Sequence, residues 1–261
     1  MTPAIAAQLW TFHDQAARDL EGVLTRISEI GYVAVEPLGL HGRTPKAVRS
    51  LLDELGMGVC SAHAPFPAGP DARKILDEQS ELGADTVVWS MEKEEFDSVD
   101  AIRRGCERVN EGAENAREYG ITVGYHNHYA EFANSFDGRS AYDVLLDHLH
   151  PDVVLELDMY WVLLGGGDPA AVVRELGERV KFLHVKDGPA KDNDDFMVPV
   201  GQGRVDVPAV LAAGTGVRWH IVELDRSRID MIEALRQSYS YLVGEGLSRG
   251  RLAVAGKEGL Q

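Results

Sequence analysis

Cysteine is almost missing from this chain. Its 261 residues include two, Cys60 and Cys106, and these show no metal-type spacing. They read as buried, reduced thiols of a cytosolic protein. Positive charge is also scarce: 26 Lys and Arg stand against 42 Asp and Glu, a net charge of −16. That balance argues against nucleic acid as a partner, because affinity for a phosphate backbone rests on clustered cations. A small neutral or weakly charged ligand beside a metal ion stays compatible with it. No apolar run approaches a membrane span, and MTPAIAAQLW has no basic region ahead of an apolar one, so the expectation is a soluble, cytoplasmic protein with no membrane partner. The first strand-like run leads into AQLWTFHDQ, with no Gly-rich phosphate loop. A doubly wound dinucleotide fold is disfavoured on that ground.

What is present is a repeating phrase of helix, Gly and short apolar strand. It occurs as RISEIGYVAVEP, LLDELGMGVCSAH, SELGADTVVWS, AREYGITVGYHNH and RELGERVKFLHVKD. A Gly shortly before the strand fits the left-handed cap that ends a helix. Apolar runs predict eight strands, at 4–9, 32–36, 58–63, 85–90, 121–127, 153–158, 180–186 and 219–224. Amphipathic segments such as LEGVLTRISEI and CERVNEGAENAREY lie between them. Eight strand–helix repeats in about 250 residues favour a closed (β/α)8 barrel, with a single α/β domain over 1–250 and a tail over 251–261. The polar stretch PAKDNDDFMVPVGQGRV after the seventh strand reads as an active-site loop.

In such a barrel, chemistry sits where strands end. The strand ends carry Gln8 and Trp10, Glu36, His63, Trp89, His126 to His128, Asp158 with Trp161, His184 with Lys186 and Asp187, and Glu223 with Asp225. Asp158, His184 and Glu223 fall on consecutive strands and are oxygen and nitrogen donors suited to one divalent cation. Of the three, Glu223 is hardest to explain otherwise, since a buried carboxylate is costly unless paired or metal-bound. Lys186 points to the same side of its strand as His184 and is placed to polarise a carbonyl, hold a hydroxyl or stabilise an enediolate, the plainer alternative being a salt bridge with Asp187, Asp225 or Glu156. Tryptophans at strand ends suit the apolar face of a sugar ring.

At these residues the chain resembles the xylose-isomerase-like barrels, closest to the sugar phosphate isomerase/epimerase group, with inosose dehydratase and ketose 3-epimerases as relatives. The resemblance rests on YHNHYAEF (125–132), LDMYWVLLGGGDP (157–169), FLHVKDG (182–188), VGQGRVDVPAVL (200–211) and IVELD (221–225), with SAHAPF and GYVAVEP in support. It implies a metal held by Asp158, His184 and Glu223, with a further glutamate on strand 5. Here strand 5 offers Tyr125-His126-Asn127-His128 instead, so the fourth ligand is His126, His128, Glu131 or water. Imidazole in place of carboxylate favours Mn2+ or Co2+, with Fe2+ or Zn2+ also suited, over Mg2+. The resemblance implies an isomerase or epimerase acting on a keto-sugar or related polyol through an enediolate, or a dehydratase of a ketocyclitol. A non-catalytic sugar-binding barrel is the remaining reading. Glu223, His126, His128 and Lys186 are expected to do the catalysis. Glu36, His63, Trp89, Trp161, Asp187 and Asp225 are expected to hold substrate. A homo-oligomer is compatible with this group.

Overall fold

The structure, a computed structural model, describes residues 2–251. Eleven strands are found among them: β1 (Ala4–Gln8), β2 (Ala34–Glu36), β3 (Gly58–Val59), β4 (Ala62–His63), β5 (Thr86–Trp89), β6 (Thr122–His126), β7 (Ser135–Phe136), β8 (Arg139–Ser140), β9 (Val154–Asp158), β10 (Val180–Val185) and β11 (Trp219–Val222). β7 and β8 form a small antiparallel hairpin. The other nine make one parallel sheet in the order β3-β2-β1-β11-β10-β9-β6-β5-β4. Its two edges are successive pieces of a single chain segment. The sheet therefore closes on itself as an eight-stave barrel whose third stave is broken.

That break corrects the continuous strand expected at 58–63. β3 pairs with β2 and β4 pairs with β5, with Cys60 and Ser61 between them. Cys60 N still donates to Val35 O at 3.1 Å, while Ala64 N donates to Val88 O at 3.2 Å. The Ser61 hydroxyl meanwhile donates inward to the Glu36 carboxylate. Five expected strands also end early, by one or two residues, and for two of them the cause is visible. β1 stops at Gln8, whose side chain accepts from Trp10 N and starts a 3-10 turn. β11 stops at Val222, because Leu224 N turns to Thr11 Oγ1 at 3.0 Å.

The helices between the strands start and stop as their sequences dictate. Thr44, Ser98 and Asp206 each accept from a backbone N–H three residues on, and Pro45 and Pro208 sit in first turns. The glycines of the repeating phrase, Gly31, Gly56, Gly83, Gly120 and Gly177, all have positive φ. At Gly83, φ is 83°, and its N–H returns to Gln79 O and Ser80 O, closing the helix before β5. One face of each helix seals the outside of the barrel. The helix His13–Ile30 buries Ala16, Leu20, Val23, Leu24, Ile27 and Ile30, at three- and four-residue spacing.

Inside the barrel, side chains two apart on a strand stack in layers. The lowest layer is apolar: Ala6, Ala34, Cys60, Phe182 and Ile221 form their own cluster, with Val154 and Trp219 packed against it. The expected tail begins at Arg251, whose guanidinium donates to Ser28 Oγ and Leu55 O at 3.0 Å each. The rest of that tail, 252–261, lies outside the described residues.

Candidate active site

Two residues above the apolar layer, five of the staves change character. Ala6 is followed by Gln8, Ala34 by Glu36, Val154 by Glu156 and Asp158, Phe182 by His184 and Lys186, and Ile221 by Glu223. Strand register then sets them side by side. Gln8 lies next to Glu36 on β1 and β2, and His184 lies between Asp158 on β9 and Ile221 on β11. A layer of charge is thus built directly on a layer of hydrocarbon. It is buried: Glu36, Glu156, Asp158 and His184 are all 0 % exposed.

His184 is the hub. Its Nδ1 is 2.7 Å from Glu223 Oε2 and 3.9 Å from Asp158 Oδ2. Its Nε2 faces the opposite way, 2.8 Å from Glu36 Oε1 and 3.0 Å from Glu156 Oε1. Glu156 Oε1 also meets His63 Nε2 at 2.8 Å and His126 Nδ1 at 3.1 Å. Gln8 Nε2 and Ser61 Oγ both donate to Glu36 and fix its carboxylate. Above this, the Lys186 ammonium is 3.1 Å from Asp158 Oδ2, 2.8 Å from Glu223 Oε2 and 3.1 Å from Asp225 Oδ2. Asp225 Oδ1 accepts from Trp10 Nε1 at 3.1 Å.

A cavity of about 180 Å³ opens over these groups at the carboxyl ends of the strands. His63, Trp89, His126, His128, Lys186, Glu223 and Asp225, all expected at the site, line it together with Trp10, Leu38 and Ser90.

The protonation states follow from burial set against neighbours. Burial pushes the Glu223 carboxyl up, but Lys186 and His184 outweigh it and hold it well below the usual range. Glu156 is likewise held well down by His184 and His63 against its own burial. Burial and the charge of Glu156 push Glu36 up instead. Burial would discharge His184, yet Glu156, Glu223 and Glu36 raise it well above an ordinary histidine. The strand-5 imidazoles behave oppositely. Burial, with the charge of His184, takes His126 well down, and burial, with Lys186, takes His128 to about 4. Burial lifts Asp158 to about 6 and Glu131 to about 7.

Three residues expected to hold substrate are employed elsewhere. Glu36 lies beneath the cavity as the partner of His184. Trp161 stands behind Lys186, its ring 5.1 Å from the ammonium, and is not among the lining residues. Asp187 faces away. Its oxygens accept from the backbone N–H of Gly188, Gly201, Gly203 and Val205, so it pins the loop that follows β10. That loop docks on the end of the last stave, where Met197 N donates to Arg226 O at 2.9 Å. Conversely, Glu156 has a central place that the sequence reading gave only as a salt-bridge partner of Lys186. The signal was the acid pair in LELD, since residues two apart on a strand share a face.

Which of these groups could hold a metal is a question of donor spacing. Donor atoms of Asp158, His184 and Glu223 all lie within 4.8 Å of one another, and so do those of His63, His126, Glu156 and His184. His126, expected as fourth ligand of the first set, belongs to the second. Glu131 belongs to neither: its Oε1 accepts from Tyr125 Oη at 2.9 Å and from His128 N at 3.0 Å. The first set fits a divalent cation better. It offers two carboxylates and one imidazole, and Asp158 Oδ2 and Glu223 Oε2 both face the Lys186 ammonium, at 3.1 and 2.8 Å, so a cation already sits against that pair of oxygens. The carboxylates on the far nitrogen of His184 then hold the ring, as second partners of metal-bound histidines do.

The chain resembles known proteins over most of its length. It is 26 % identical to the rhizopine catabolism protein MocC of Rhizobium meliloti, over 88 % of this chain and 81 % of that protein. A sugar phosphate isomerase/epimerase from Parabacteroides distasonis superposes with a TM-score of 0.78 at 21 % identity, covering 95 % of this chain and 96 % of its own. The IOLI protein, solved with a bound zinc atom, gives 0.70 at 18 % identity, with 94 % and 97 % covered. Residues 24–214 match the family model described as xylose isomerase-like TIM barrel. With a closed parallel barrel, a charged layer at the carboxyl ends of its strands and that match over most of its length, the chain belongs to the xylose isomerase-like TIM barrel family.

Proposed function

We propose that this protein is a metal-dependent isomerase or epimerase of a small, unphosphorylated keto-sugar or keto-cyclitol. The observation that carries the reading is the Asp158, His184 and Glu223 donor set beside a cavity of about 180 Å³. Mn2+ or Co2+ suits two carboxylates and an imidazole, and the IOLI protein, which shares the fold, was solved with a bound zinc atom, itself a borderline cation. Such a cation acts as a Lewis acid toward a carbonyl oxygen and makes the adjacent C–H more acidic. The remaining work falls to side chains. Glu223, ionised, and His128, neutral at pH 7, line the cavity and are placed to take a proton from carbon and return one. Lys186 supplies positive charge for an enediolate oxygen. Trp10 and Trp89 offer apolar faces to the ring, while His63 offers a polar contact for a hydroxyl.

Phosphate is disfavoured by charge. No arginine stands among the described residues lining the cavity, and its one ammonium already faces three carboxylates. One feature favours a second reading, dehydration. The strand-5 side of the cavity presents imidazole, while the Glu131 carboxylate is turned to Tyr125 and His128. An acid–base pair of unlike groups suits a one-directional elimination at least as well as a symmetrical epimerisation.

The test is deuterium exchange in D2O with Mn2+- or Co2+-loaded protein, read by NMR across unphosphorylated ketoses and ketocyclitols. Exchange alpha to the carbonyl with an epimer or isomer as product supports the main reading. Loss of water with an enone chromophore supports the second. Tight binding of a panel member with no exchange under either metal leaves a binding barrel and refutes both.

A further inference from the structure

The Lys186 ammonium contacts two of the three residues that could hold the metal. Its distances to Asp158 Oδ2 and Glu223 Oε2, 3.1 and 2.8 Å, are those of a cation already serving that pair. A divalent ion bonded to the same oxygens would stand at roughly 2.0–2.2 Å from them. An ammonium left in place would then face a double positive charge at close range in a buried setting. The two cations therefore compete for one pair of carboxylates.

The third carboxylate resolves the conflict. Asp225 lies outside the donor set, and its Oδ2 accepts from Lys186 Nζ at 3.1 Å. It is held in place from elsewhere: Trp10 Nε1 donates to Oδ1 at 3.1 Å, and Asp225 N donates to Met197 Sδ at 3.3 Å. The Trp161 ring, 5.1 Å from the ammonium, adds a second partner that is independent of Asp158 and Glu223. Both Asp225 and Lys186 line the cavity.

We infer that Asp225 is a berth that receives Lys186 when a divalent cation takes Asp158 and Glu223, so that metal binding and the aim of Lys186 into the substrate cavity are one event. Asp225 is then a positioning residue that acts through Lys186. This rests on the metal reading above, and the experiment separates the two.

The measurement is Mn2+ affinity by calorimetric titration of wild type, Lys186→Met, Asp225→Asn and the double variant, without substrate. Lys186→Met removes the competitor and should tighten binding at least about tenfold. Asp225→Asn keeps the competitor but removes its berth, and should weaken binding by about tenfold. In the double variant the Asp225→Asn effect should shrink to less than about threefold, because there is no ammonium to relocate. Unchanged or weaker binding in Lys186→Met, or fully additive effects, would overturn the inference while leaving the metal reading intact. Should Lys186→Met not fold, an unchanged affinity in Asp225→Asn overturns it alone. No Mn2+ binding by wild type or any variant sinks the metal reading, and the inference with it.

Discussion

Replacing Glu156 by glutamine tests whether the buried layer is held by charge. One Glu156 oxygen lies 2.8 Å from His63 Nε2, 3.0 Å from His184 Nε2 and 3.1 Å from His126 Nδ1. Glutamine keeps the shape and one acceptor but removes the charge that balances two imidazoles. Breaking a buried pair from one side costs about 3–5 kcal/mol, and the retained amide acceptor returns roughly 1 kcal/mol. A loss of about 2–4 kcal/mol follows, which for a domain of this size lowers the melting temperature by roughly 4–16 °C. The pH window is set by the two kinds of partner. The depressed carboxyl stabilises the fold above its unfolded value near 4.5 and loses that as pH falls through its folded value. The raised histidines stabilise it below their unfolded value near 6.5 and lose that as pH rises through theirs. The gap between wild type and Glu156→Gln should therefore be widest between about pH 5 and 6.5, and narrow on both sides. Calorimetric melts in metal-free buffer from pH 4 to 9 read it directly. A flat gap across that range, or melts that coincide, would refute a charge-balanced layer.

Three further outcomes are expected. Asp187→Ala strips a shared acceptor from four backbone N–H groups. It should cost about 2–4 kcal/mol and raise protease cleavage within 189–205 well before the barrel unfolds. Trp10→Ala removes an indole 39 % exposed at the cavity rim. It should raise KM by about 2–10-fold, as for loss of a stacking contact worth roughly 0.5–1.5 kcal/mol, with a smaller fall in kcat because the hydrogen bond that holds Asp225 goes with it; a fall in kcat with KM unchanged would count against a platform role. His184→Ala should abolish stoichiometric Mn2+ or Co2+ by elemental analysis, whereas His126→Ala should retain it, since His126 lies outside the Asp158 set; loss in both variants would move the metal to the His63/His126/Glu156/His184 group.

Most of the fold was legible because period and punctuation agree. Apolar runs of five to seven residues, five of them following a helix-ending Gly, gave all eight staves, and strand ends placed Asp158, His184 and Glu223 together. The break at Cys60–Ser61 left no local mark. Neither residue is a strand breaker, and the contact that accompanies the break, from the Ser61 hydroxyl to Glu36, spans 25 positions. Glu156 sits inside an apolar run, where an acid invites a bland salt-bridge reading until the two-residue period is applied to it as strictly as to Asp158. Asp187 was beyond reach for another reason. Its partners at 201–205 arrive only after the loop has folded back, so their spacing carries no period.

The apolar layer under the site has a consequence of its own. Ala6, Ala34, Cys60, Phe182 and Ile221 seal the barrel like the base of a cup, so the ions above them meet water from the rim alone. Every proton, cation or substrate that reaches His184 must come through that rim, past Trp10 and His128. The traffic at the hub is thereby governed by whatever sits in the mouth, and a filled mouth isolates the whole layer from solvent at a stroke.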